Sequence, residues 1–143
     1  LRHRNHLGVI TANPLALSKT PIAIDFSHPA TAVMGGESRM LTDDLAVLWA
    51  GDANMDSGVV ANGPSNDPSY LLGAVLLNFD NSLLNSNFII NGYTATDLDM
   101  NGFTLFAGPG NDLNILVGSV LLHPSNSTMS ANFIIQSGMP RIK

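Results

Sequence analysis

The chain repeats itself, and that duplication constrains its fold more than any other feature. From Asp52 onward a 45-residue register holds without a gap as far as Ile90 and Ile135. Asp52, Asn54 and Asp56 align with Asp97, Asp99 and Asn101. Gly63-Pro64 aligns with Gly108-Pro109, and Asn66-Asp67 with Asn111-Asp112. Val75-Leu76-Leu77 then meets Val120-Leu121-Leu122, and Asn87-Phe88-Ile89-Ile90 meets Asn132-Phe133-Ile134-Ile135. Each copy reads as a polar loop, a short helix, a polar turn and an apolar segment. A unit this small cannot bury its own apolar face, so the two copies are expected to pack against each other about a local pseudo-twofold axis. Gly73 and Gly118, equivalent positions in the middle of the helices, read as points of close approach.

The loops carry the chemistry. Calcium takes about 6–8 oxygen ligands at roughly 2.3–2.6 Å, and alternating Asp and Asn supply them because every second side chain can turn inward. The first loop is expected to bind through the side chains of Asp52, Asn54 and Asp56, the carbonyl of Gly58, and Asp67 as the closing carboxylate. The second uses Asp97, Asp99, Asn101, the carbonyl of Phe103, and Asp112. Each set holds three carboxylates and one amide, a charge suited to a divalent cation; magnesium, which prefers to keep its waters, fits less well. The closing acid is the sixteenth residue, where an EF-hand loop has it twelfth. The excess falls at Asn62-Gly63-Pro64-Ser65 and Ala107-Gly108-Pro109-Gly110, which read as turns that return the chain to the ion. Asp67 and Asp112 stand at helix starts, where carboxylates meet free backbone amides.

Upstream, residues 1–50 read as β structure. His6–Ala12 and Pro21–Phe26 are short runs rich in β-branched residues, separated by turn signals, and Ile22, Ile24 and Phe26 alternate onto one face. The stretch from Leu41 to Ala50 leans to strand, with Trp49 sealing the joint to the first loop. The expected fold class is therefore α+β: a β-rich N-terminal part of sandwich-like strands over residues 1–50, then two tandem calcium-loop–helix repeats over 51–95 and 96–143.

Composition closes off several functions. Charged residues are 12% of the chain, the net charge is −5, and there is no cysteine. A basic nucleic-acid face, a disulfide framework and a thiolate metal site are thereby excluded. No stretch reaches the roughly 18 consecutive apolar residues of a membrane span. The start at Leu1 without Met fits a processed product or a piece of a longer protein. Histidine chemistry is not expected: His3 and His6, at an odd spacing, fall on opposite faces of a strand, and His28 and His123 have no acid–Ser or acid–Cys partner nearby in sequence. Asp43 and Asp44 diverge as neighbours on a strand, so no catalytic site is expected and the chain does not read as an enzyme.

The two Asp-x-Asn/Asp-x-Asp/Asn loops, each followed by a helix, resemble the dockerin type I repeat. The longer form with Gly-Pro-x-Asn-Asp, together with Arg2-His3-Arg4-Asn5-His6-Leu7-Gly8 and Trp49-Ala50-Gly51-Asp52, is similar to dockerin-like C-terminal regions of large secreted Bacteroidetes proteins. That resemblance implies two calcium ions, an extracellular or cell-surface location and no enzymatic activity. Ser57 stands where dockerins have Gly, and the loops are longer, so cohesin binding does not follow. The expected function is a secreted, calcium-stabilised structural or assembly module that associates with itself or another surface protein, including as a filament subunit built through an open strand at Leu1. The competing expectation is a dockerin-like protein- or glycan-binding module carried by a larger secreted enzyme or adhesin.

Overall fold

The computed structural model describes residues 1–139. Regular structure is sparse: β1 (Arg39–Leu41), β2 (Ala46–Leu48), β3 (Gly58–Val60), α1 (Asp67–Leu76), β4 (Ile90–Asn91), β5 (Phe103–Thr104), α2 (Asp112–Leu121) and β6 (Ile134–Gln136). Three antiparallel two-stranded ribbons, β1–β2, β3–β6 and β4–β5, make up all the named sheets.

The expected fold class is overturned at both ends. No sandwich forms over residues 1–50, because His6–Ala12 and Pro21–Phe26 make no strand. Apart from the β1–β2 ribbon, that part holds isolated bridges joining His3 to His6, His6 to Ala50 and Thr11 to Val33. The alternation of Ile22, Ile24 and Phe26 has no core to face; Ile22 is exposed and the other two are half-buried. A strand needs a partner's backbone as well as a pattern, and here the partner is missing. The stretch read as one strand from Leu41 to Ala50 is instead the turn and second arm of a hairpin. Thr42 reverses the chain there: its backbone amide and its hydroxyl both donate to the Leu45 carbonyl, while the Leu45 amide donates back to the hydroxyl.

The other half of the expectation, two consecutive loop–helix units, fails on strand pairing. Gly58 lies opposite Gln136 and Val60 opposite Ile134, so β3 leaves the first loop and pairs with the segment that follows α2. Phe103 lies opposite Asn91 and Thr104 opposite Ile90, so β5 leaves the second loop and pairs with the segment that follows α1. Neither loop–helix segment closes on itself. The physical reason is that two- and three-residue strands gain too little alone; exchanging them lets one core serve both halves.

That core contains Leu7, Trp49, Ala53, Val59, Leu98, Leu116, Val120 and Ile135, drawn from the N-terminal segment, both loops, α2 and β6. Leu71 and Val75 are buried on α1 at the positions that Leu116 and Val120 occupy on α2. Trp49 enters from the end of the hairpin. Its indole Nε1 donates to the Glu37 carbonyl at 2.9 Å, and its ring lies 4.8 Å from that of His123. Gly51, the next turn, has φ 124°, and a Cβ there would come within 2.7 Å of Val59 Cγ1, so this entry into the first loop admits only glycine.

Both helices start and stop by the same means. Asn66 and Asn111 are the N-caps, accepting from the amides of Ser69 and Asn114. Beyond the C-termini, buried Asn81 and Asn126 donate to the carbonyls of Val75 and Val120, and their side-chain oxygens accept from the amides of Asn85 and Ser130. The mid-helix glycines mark no close approach, since a Cβ on Gly73 or Gly118 would meet nothing within 4 Å. Alanine at either position should therefore raise stability by about 1 kcal/mol, the intrinsic helix penalty of glycine. A higher urea midpoint at unchanged slope would register it; a lower midpoint would reveal a contact made only in solution.

Candidate metal centre

Side-chain oxygens fold both loops around their own backbone. In the first, Asn54 Oδ1 accepts from the Asp56 amide, Asp56 Oδ1 from the Gly58 amide, and Asp52 Oδ2 from the Ser57 amide. In the second, Asp99 Oδ1 accepts from the Asn101 amide, Asn101 Oδ1 from the Phe103 amide, and Asp97 Oδ2 from the Gly102 amide. Chained turns of this kind point each short polar side chain inward. They require left-handed backbone at Met55 and Ser57 in one loop and at Met100 and Gly102 in the other. Ser57, at φ 73°, holds a conformation for which Gly102 is suited. Left-handed backbone costs a non-glycine residue roughly 1–2 kcal/mol, so Ser57→Gly should stabilise the protein by up to about 1 kcal/mol in thermal melts. An unchanged or lower midpoint would mean that the Ser57 side chain compensates.

The closing acids act first as clamps. Asp67 Oδ1 accepts from the amides of Ala53 and Asn54 and its Oδ2 from the Val60 amide at 2.8 Å. Asp112 Oδ1 accepts from the Leu98 amide at 2.6 Å and its Oδ2 from the Leu105 amide at 2.8 Å. One carboxylate thus ties the head of each loop to the strand leaving it. Neither acid is the helix cap; Asn66 and Asn111 fill that position, and the acids occupy the first turn.

Of the residues expected to bind metal, the fold draws Asp97, Asp99 and Asp112 closest, with one oxygen from each lying within 4.8 Å of the others. At the full span a central point lies about 2.8 Å from all three, so a small inward movement of the side chains brings them to the roughly 2.3–2.6 Å of calcium–oxygen bonds. Asn101 stays beside them through a bond from its Nδ2 to Asp99 Oδ2. In the first loop Asp52 and Asp67 are buried, and the Asp52 Oδ1 atom is buried without a hydrogen-bond partner. Asn54 is tied across the loop to the Ser65 carbonyl, and Asp56 is exposed at its edge. Gly58 and Phe103 open β3 and β5, the strands that leave the two loops.

Four of the loop acids are buried with little counter-charge. Asp52, Asp67, Asp97 and Asp112 are all buried, and the one cationic side chain in ion-pair range among the described residues is Arg4, 4.0 Å from Asp97. Burial pushes the Asp67 carboxyl up to about 7, against the pull of the Val60 and Asn54 amides, and burial raises Asp52 to about 6. Asp112 is raised for the same reason. A buried carboxylate without a counter-charge costs several kcal/mol, a cost that a proton or a bound cation would remove.

Asn5 was not legible as important in the sequence. It is wholly buried; its Nδ2 donates to the Asp97 carbonyl and its own carbonyl accepts from the Gly51 amide at 3.1 Å, joining the N-terminal segment to both loops. His3 and His6 do not fall apart onto opposite faces. A tight turn at residues 3–6 sets their Nδ1 atoms 3.0 Å apart. An odd spacing separates side chains only where the backbone is extended.

The chain matches no family model, no curated protein and no solved structure.

Proposed function

We propose that this chain is a calcium-stabilised structural module of an extracellular or cell-surface protein, with one calcium ion in each loop. The observation that carries the reading is the burial of four carboxylates with one guanidinium between them, three of the loop acids converging within 4.8 Å. An architecture with so little regular structure and no disulfide gains its rigidity from such ions. Titration of the chelator-stripped protein with calcium in a calorimeter tests it: two equivalents should bind, Asp97→Asn/Asp112→Asn should remove one, and Asp52→Asn should weaken the other. Absence of binding at millimolar calcium would sink the proposal.

The Leu1 amine donates to the Val9 carbonyl at 2.9 Å and the Val9 amide returns to Leu1, so this segment pairs with itself. Within the apolar segments Ile90 pairs in β4 and Ile134 and Ile135 in β6, while Ile89 and Ile134 keep exposed side chains.

A second reading, a dockerin-like protein-binding module, draws on one asymmetry. The outer side of α2, at Ile115, Gly118, Ser119 and Leu122, shares an open groove with Met40, Leu48, Trp49 and Ala50 at the hairpin. The matching side of α1, at Tyr70, Gly73, Ala74 and Leu77, has no such neighbour among the described residues. Leu77, Phe79 and Leu83 beyond it are at least 81% exposed. Apolar exposure of this kind marks interaction surfaces. A glycan partner is less well served: Trp49 is buried and Tyr93 lies under the Arg4 guanidinium, 5.4 Å from its ring centre.

A further inference from the structure

Near the N-terminus three polar atoms close on one another in a way that hydrogen bonding alone does not satisfy. Asn5 Oδ1 lies 2.9 Å from His3 Nδ1 and 2.7 Å from His6 Nδ1, and the two ring nitrogens are 3.0 Å apart. Each Nδ1 carries at most one hydrogen. Three contacts therefore share at most two hydrogens, and if both rings donate to Asn5 the two N–H dipoles are left side by side. The amide cannot relieve this by flipping, because Asn5 Nδ2 is committed to the Asp97 carbonyl in a buried position. The backbone holds the trio in place as well: the Leu7 amide donates to the Trp49 carbonyl at 2.8 Å, the Gly51 amide to the Asn5 carbonyl at 3.1 Å, and His6 bridges to Ala50.

The spacing is that of ligands around a metal. Two donor atoms bound at about 2.1 Å and at right angles, as in six-coordinate or tetragonal sites, stand about 3.0 Å apart, closer than the roughly 3.4 Å of a tetrahedral site. We propose that His3 Nδ1, His6 Nδ1 and Asn5 Oδ1 form one face of a six-coordinate or tetragonal site for a late first-row divalent transition metal, with zinc and cobalt as the probes. The ring planes cross at 74° with centroids 4.9 Å apart, an edge-to-face arrangement that leaves the imidazoles unstacked. Two imidazoles and an amide oxygen suit zinc and its nitrogen-preferring neighbours, whereas calcium and magnesium take oxygen sets. The remaining coordination positions open into a cleft of about 210 Å³ that Arg2, Arg4, Gly8, Asp52, Met55 and Ser57 also line. Of the two arginines, Arg4 is held elsewhere, its Nε donating to the Thr94 carbonyl at 2.9 Å and its guanidinium lying over Tyr93. Arg2 and Asp52, the latter an acid of the first calcium loop, face the cleft with opposite charges. The site is separate from the calcium loops in its ligands, and metal there would lock the segment through which Asn5 joins them.

The test is zinc titration of untagged protein by calorimetry in saturating calcium, which keeps the loops occupied. One equivalent should bind, and His3→Asn, at an exposed position, should weaken it by at least about tenfold with the thermal midpoint in zinc-free buffer unchanged. Replacing zinc by cobalt should give paramagnetically shifted resonances from two imidazole rings. Equal zinc affinity in wild type and His3→Asn would overturn the proposal, as would loss of binding on His28→Asn or cobalt shifts from a single ring. Because His3→Asn leaves buried Asn5 and half-buried His6 in place, the result does not depend on a variant that unfolds.

Discussion

Stripping calcium with excess chelator should lower the thermal unfolding midpoint by on the order of 10–20 °C. Two sites occupied at a hundred times their dissociation constants contribute roughly 2.7 kcal/mol each, and for a chain of this size each kcal/mol moves the midpoint by about 2–5 °C. The double variant Asp52→Asn/Asp97→Asn should lose most of the difference between its midpoints with and without calcium, because it neutralises in each loop the buried acid that heads it. The pH dependence of the stripped protein follows from the same burial. Folding raises Asp67 from 3.8 to about 7 and Asp52 to about 6, so between those values the native state holds more protons than the unfolded chain. Stability in chelator is then full near pH 4 and is lost as pH rises through 6 and 7. Calcium displaces those protons and should flatten or reverse the slope. A midpoint indifferent to chelator at pH 7.5 would mean that the loops are turns held by their own hydrogen bonds, and the calcium reading would fall.

Truncating Ile135 to alanine should cost about 2–5 kcal/mol, the usual loss for a fully buried isoleucine, and should weaken calcium binding at the first loop. Ile135 is 2% exposed, packs in the core with Leu7, Trp49, Val59 and Leu116, and sits opposite Val59 in the β3–β6 ribbon. The ribbon's other strand, β3, emerges from the Asp52 loop, so damage far along the chain reaches that loop through the exchanged pairing. Ile90, the matching residue in β4, is half-buried and faces Thr104, so Ile90→Ala should cost less. Urea unfolding gives the stabilities and calcium calorimetry the affinity. Equal costs at the two positions, or an Ile135→Ala protein with both calcium affinities intact, would show that the halves fold and bind independently.

What the sequence determined by itself is local. The alternation of Asp and Asn dictates inward-turned side chains, because each oxygen reaches an amide two residues on. The apolar runs after Asn66-Asp67 and Asn111-Asp112 dictate helices, found at Asp67–Leu76 and Asp112–Leu121. The Gly-Pro corners dictate the return of Asp67 and Asp112 to the loop heads. All of these are contacts within about sixteen residues, where propensity and spacing are enough. Tertiary structure decided the rest. Which strand β3 and β5 pair with, and that Leu7 and Ile135 share a core, depend on a choice among nearly equal partners that only the packed whole settles. Period-two alternation at Ile22, Ile24 and Phe26 failed because alternation specifies a face, while a strand also needs a neighbour's backbone. Asn5 and the histidines beside it were illegible because their role comes from a turn that sets His3 against His6 and from an amide that reaches Asp97, 92 residues away.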